Sequence, residues 1–223
     1  ELRSLVTEHI CGLQQGPLLC ARYNLKPAIR KLGPAGHLFE QYVAELFRAD
    51  GFSDVKVGEV IQGECATHEI DIIATKEEKH HMVECKFHNR EGTKSDVTVA
   101  LYVYARFLDV QNASPQNSGF QAAWLATNTK LTTDAEHYAK CKDMQILTME
   151  LPYGSSIIDR VVSQGLFPIS SLEILDPYLP NLFEAEKLML KDVPQMTTSE
   201  ASSLSIPEDV FAKAQAQATA ILS

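Results

Sequence analysis

The chain has 223 residues, 45% hydrophobic and 22% charged, with a formal net charge of −9. That composition supports a buried core in one or two domains and excludes disorder throughout. No apolar run approaches the roughly 18 residues needed to span a bilayer, no signal-peptide pattern is present, and both halves are acidic, which counts against a broad basic DNA-binding face but not against a local strip.

The chain starts at Glu1 rather than Met, which reads as part of something longer. Residues 1–35 read as helical fragments broken at Gly16–Pro17 and Gly33–Pro34. From Gly36 to Gly51, Phe39, Val43, Leu46 and Phe47 share one stripe, which predicts a helix with Gly51 at its C-cap. Val55, Val57 and Val60–Ile61 predict a first strand, Glu69 to Ala74 a second and His81 to Phe87 a third. A polar turn over Lys76–Lys79 joins the last two.

Ser95 is the expected cap of a helix carrying Val97, Leu101, Tyr104, Ala105 and Leu108 on one face. A strand over Phe120–Thr127 follows, then a helix capped at Thr132 or Thr133, a strand over Gln145–Met149 and a helix over Ser155–Gln164. Thr197 to Ser203 reads as a polar linker, and Ile206 to Leu222 as an alanine-rich helix with Pro207 in its first turn. The order predicts an α/β fold with one mixed sheet flanked by helices: an antiparallel meander first, then parallel strands added through crossover helices. The expected division is 1–35, 36–175 and 176–223.

Five cysteines, Cys11, Cys20, Cys65, Cys85 and Cys141, are scattered with no CxxC pair. That argues against a disulfide framework or a structural zinc site and suits free thiols in a reducing cytosol, hence a cytoplasmic location. His80, His81 and His88 with Cys85 fit no standard zinc spacing.

The chemistry concentrates in "HEIDIIATKEEKHHMVECKFHNREG", His68 to Gly92. Charges inside apolar strands are costly to bury unless paired or bound to a metal. Strand alternation puts Glu84 and Lys86 on one face and Val83, Cys85 and Phe87 on the other. Pairing across the Lys76–Lys79 turn brings Asp71 beside Glu84. Adjacent carboxylates repel, and a divalent cation is one way to keep both ionised. Mg²⁺ favours such oxygen ligands, and Lys86 then serves as a point charge at a phosphate or an attacking water.

Asp71 followed by Glu84-x-Lys86 resembles the bipartite acid…(D/E)-x-K signature of the restriction-endonuclease-like (PD-(D/E)xK) superfamily. The stretch "GHLFEQYVAELFRADGFSDVKV…HEIDIIA…VECKF" looks like its Mrr-like branch, and the likeness covers roughly residues 36–150. It implies an αβββαβ core and a metal-dependent DNA endonuclease of restriction or defence type that hydrolyses phosphodiester bonds with Mg²⁺ or Mn²⁺. It also implies a metal held by Asp71, Glu84 and the Cys85 carbonyl, with the first-helix glutamate matched by Glu40. The superfamily's literal Pro-Asp is absent, since Ile70 precedes Asp71.

Ala21 to Glu40 also resembles the junction of an ATP-cone domain fused to such a nuclease, which implies ATP control through a domain whose tail alone is present. "SLSIPEDVFAKAQAQATAIL" faintly resembles a helix-hairpin-helix half without its glycines. Glu69 shares the Asp71 face and is a candidate for the site or its rim. His68 is a polar residue beside the site, and Trp124 is expected in the core. Lys94, Arg106, Asn128 and Lys130 are the DNA-phosphate candidates, Lys130 because it leads into a helix N-terminus. A homodimer follows if both strands are cut. The competing readings are a non-cleaving nucleic-acid sensor of the same fold, and an interaction domain with no nucleic-acid role.

Overall fold

The structure, a computed structural model, describes residues 16–33, 36–113 and 119–223. The helical fragments expected before residue 16, the Cys11 thiol and the break at Pro34 lie outside the described residues. By compactness the chain forms two units, Gly33–Asp159 and a second that joins residues 16–32 to Arg160–Ser223. This differs from the three expected segments, because the N-terminal helices and the C-terminal segment share one packed body.

In the larger unit, helix α3 (His37–Ala49) precedes three antiparallel strands, β1 (Ser53–Gln62), β2 (Thr67–Lys76) and β3 (Lys79–Lys86). Helices α1 (Gly16–Tyr23) and α2 (Leu25–Arg30) belong to the smaller unit, and Gly16–Pro17 are the first described residues of α1. After β3 come β4 (Lys94–Ser95), α4 (Val97–Asn112), β5 (Ala122–Thr127), β6 (Lys130–Leu131), α5 (Thr133–Cys141) and β7 (Gln145–Leu147). The main sheet runs β1-β2-β3-β5-β7, and its β3–β5 and β5–β7 pairs are parallel. The expected meander with parallel additions is therefore present.

Strand alternation directs Val83, Phe87 and Trp124 towards α3. Phe47 stacks edge-on to Trp124 at 5.1 Å, and Phe39 lies 5.5 Å from Phe87. On the other face, Val103, Phe107 and Val110 of α4 and Ala135 and Ala139 of α5 pack against Met82, Ala123 and Leu125. Burying one such large apolar side chain contributes about 1.5–3 kcal/mol.

The cap and the buried stripe of α4 both differ from expectation. Asp96, not Ser95, caps it, accepting from the N–H groups of Thr98 and Val99. Its buried residues are Ala100, Val103, Arg106, Phe107 and Val110, whereas Leu101, Ala105 and Leu108 are exposed. The helix is apolar around much of its girth, so spacing alone selects no unique face.

The smaller unit continues with α6 (Ile157–Gln164), which straddles the boundary, then 3-10 turns, α7 (Leu179–Glu184), α8 (Thr198–Ser203) and α9 (Glu208–Leu222). The expected linker at 197–203 is thus a helix. Thr197 and Glu200 close a reciprocal capping box on it, which the composition alone obscured. Ser205 turns the chain into α9 at φ +63°, a left-handed value that glycine adopts more readily.

Cys65, Cys85 and Cys141 are free thiols, while Cys20 is disulfide-bonded, which corrects the expectation of a free thiol there. An odd count of five leaves room for a single bridge without a framework. Among the described residues no helix is long and apolar enough to cross a membrane.

Candidate active site

The site forms where β2 and β3 part, at the C-terminal end of β3. The antiparallel register ends at Ile72 opposite Val83, and Asp71 and Glu84 are the residues that follow on the two strands. Here the ladder is broken by a side chain: Asp71 Oδ2 accepts the Cys85 backbone N–H at 2.7 Å. Glu84 is 3% exposed. Lys86 Nζ reaches its Oε1 at 3.2 Å, and Arg106 Nη1 donates to its Oε2. The second Arg106 nitrogen, Nη2, donates to the Glu69 carbonyl. Both cations stand over the Tyr102 ring, Lys86 at 5.5 Å and Arg106 at 5.2 Å from its centroid.

Glu40 enters from α3. Gly36, at φ +80°, turns the chain into that helix and leaves its carbonyl to accept the N–H groups of Phe39 and Glu40. Burial, then the charges of Asp71, Glu69 and Glu84, push the Glu40 carboxyl up to about 7. Burial also raises the Asp71 and Glu84 carboxyls, Glu84 further through Asp71, against the opposing pull of Arg106 and Lys86. Three acids, Glu40, Asp71 and Glu84, therefore share one partly buried place with the exposed Glu69 nearby, which favours a cation. Their donors are all oxygens, suited to a hard divalent ion. As the side chains stand, Glu40, Asp71 and Glu84 do not converge on one point. Among the described residues, the metal-capable group whose ligating atoms lie within 4.8 Å of one another is Glu64, Cys65 and Asp109.

That second group has a structural explanation. Asp109 of α4 ties down the β1–β2 turn, accepting from Cys65 N–H at 2.8 Å and Ala66 N–H at 3.1 Å, with His68 Nε2 at 2.6 Å. Gly63 is needed there, because a Cβ would fall 2.1 Å from Asp109 Oδ2. The His68 hydrogen bond holds the Asp109 carboxyl down at about 2.

The DNA candidates separate. Arg106 is 8% exposed and turned inward to the acids, so it is not a surface phosphate contact in this arrangement. Asn128 is buried and clamps the loop after β3, accepting from His88 N–H and donating to His88 carbonyl. Lys94 and Lys130 are brought side by side by the parallel β4–β6 pair, beyond the same strand ends as Glu84 and Lys86. Lys130 is exposed and pairs with Glu150 at 2.8 Å. His80, His81 and His88 go separately to Thr75, Trp124 and Ser95. Tyr102 was missed from the sequence. Its position four residues before Arg106 puts both on one helical face, and that was the available signal.

A family model described as "Restriction endonuclease" (Mrr_cat) matches residues 33–151. The chain belongs to this restriction-endonuclease family. Its mixed sheet flanked by helices is consistent with the restriction-endonuclease-like fold. An uncharacterized protein from Archaeoglobus fulgidus is 35% identical over 151 residues, 68% of this chain and 83% of that one. The crystal structure of a protein of unknown function, AF1548, superposes with a TM-score of 0.68 at 30% identity, covering 87% of this chain and 98% of that one. Membership of the family indicates a nuclease domain.

Proposed function

We propose that the protein is a divalent-metal-dependent DNA endonuclease. The observation that carries this reading is Asp71 bonded to the backbone between Glu84 and Lys86, with Lys86 reaching Glu84, where the β2–β3 register ends. Asp71, Glu84 and the Cys85 carbonyl would hold Mg²⁺ or Mn²⁺, and Glu40 would hold a second ion or the attacking water. When bound, the metal supplies Lewis-acid stabilisation of charge on a phosphate and lowers the pKa of a bound water.

Lys86 would act on the reacting groups. Its ammonium would orient the water and neutralise charge as the phosphodiester is attacked. Glu40, its carboxyl raised to about 7 by burial and then by the neighbouring acids, can carry a proton at working pH. Lys94 and Lys130 would meet the DNA backbone. Two copies would be needed for a double-strand cut, and nucleotide control would enter through the ATP-cone-like sequence that leads into α3.

The test is plasmid DNA incubated with the protein and Mg²⁺ or Mn²⁺, with EDTA and Lys86→Ala as controls. Nicking that needs both metal and Lys86 supports the reading; cleavage that persists in Asp71→Ala sinks the site. One observation favours a second reading, a non-cleaving nucleic-acid-binding module: both Glu84 oxygens are already held by cationic side chains. DNA binding without cleavage under every metal would select it.

A further inference from the structure

The site already contains a cation. Arg106 is 8% exposed, and its Nε is buried with no hydrogen-bond partner. Its two terminal nitrogens are committed, one to Glu84 Oε2 and one to the Glu69 carbonyl. With Lys86 on Oε1, neither Glu84 oxygen is left without a cationic donor. The carboxylate that the proposed nuclease reading makes a metal ligand is therefore neutralised from within the chain.

A guanidinium and a divalent ion at one carboxylate oxygen repel strongly at low dielectric. Each also weakens the need for the other, since a bound ion would satisfy the same oxygen that Arg106 now holds. Leaving Glu84 would not strand Arg106, because Tyr102, half exposed, already offers its ring face to the guanidinium. The unpartnered Nε means the present seat does not satisfy the group fully, so it leaves at reduced cost.

We propose that Arg106 is an internal counter-cation for the metal site, holding Glu84 when no metal is bound and exchanging with a divalent ion at that carboxylate. Metal loading and Arg106 release are then one equilibrium. The inference rests on the nuclease reading for the metal itself, but not on cleavage. The exchange also places a planar, five-donor cation beside the metal once released, suited to a phosphate oxygen.

The experiment is Mn²⁺ titration by calorimetry, with thermal melting in parallel, of the wild type, Arg106→Met and Arg106→Lys. Without metal, Arg106→Met melts below the wild type, because the buried Glu84 loses the donor to its Oε2 and keeps Lys86 alone. Mn²⁺ then binds it about tenfold or more tighter than the wild type and raises its melting temperature further. Arg106→Lys, a shorter single-point cation, falls between the two. Equal or weaker Mn²⁺ binding by Arg106→Met, with binding and cleavage intact in the wild type, overturns the exchange and leaves the nuclease reading standing. Absence of Mn²⁺ binding in all three proteins overturns both. If Arg106→Met does not fold, the Lys variant decides: unchanged affinity overturns the exchange, and tighter binding supports it.

Discussion

The Asp71 carboxylate accepts a hydrogen bond from the backbone N–H of Cys85, the residue between Glu84 and Lys86. An acid side chain thus replaces a rung of the β2–β3 ladder at the point where the strands separate. The pairing splits the role of Asp71 into acceptor and charge. Asp71→Asn keeps the acceptor and removes the repulsion with Glu84, so its urea midpoint should equal or exceed the wild type. Asp71→Ala leaves a buried N–H unpaired and should be about 1–3 kcal/mol less stable than the Asn variant. Both should lose metal-dependent nicking. Cleavage by the Asn variant at the wild-type rate would remove Asp71 from the chemistry.

Glu40 predicts a stability that depends on pH. Its folded pKa, about 7, lies above the usual unfolded value near 4.3. Ionising it therefore costs folding free energy that is absent below about pH 4.3 and grows until pH passes 7. Glu40→Gln should match the wild type near pH 4 and exceed it at pH 8 by on the order of 1–2 kcal/mol, allowing for partial exposure. Saturating Mg²⁺ should shrink that gain. A gain independent of pH would place the effect elsewhere.

Asp109 behaves in the opposite sense. Its folded pKa, about 2, lies below the unfolded value near 3.9, so its contribution is present above pH 4 and lost as pH falls through 2. The stability difference between wild type and Asp109→Asn is followed by chemical denaturation from pH 5 down to 2. It should narrow steadily below pH 4.

The β2–β3 turn offers a stabilising change. Glu77 and Glu78 take φ +51° and +62°, left-handed values that suit Asn-Gly in a two-residue hairpin. Replacing the pair with Asn-Gly should raise stability by roughly 1–2 kcal/mol without affecting Mn²⁺ affinity. A drop in the melting temperature would show that the two glutamates support the turn.

The strands and their order were legible because Val, Ile and Phe alternate with polar residues between clear turns. Asp71, Glu84 and Lys86 stood out by interrupting them. Glu40 needed the family resemblance, since an acid in the first turn of a helix is ordinary. Arg106 and Tyr102 were not legible in their roles. An arginine on an otherwise apolar helix reads as surface, and its inward turn depends on an acid 22 residues away in sequence. The His88 clamp by Asn128 was not legible for a related reason: an amide in a loop reads as a ligand for phosphate as readily as a hold on a neighbouring backbone.

Arg106 and Asp109 sit three residues apart on α4, about 4.5 Å along its axis. One grips the acids at the strand ends and the other grips the β1–β2 turn, so that short span of helix acts as a fixed ruler between them. A one-residue insertion between the two would swing one grip roughly 100° around the helix and detach either the hairpin or the arginine. Sequences that preserve this architecture should therefore tolerate length changes in the segment after Asn112 far better than within Arg106–Asp109.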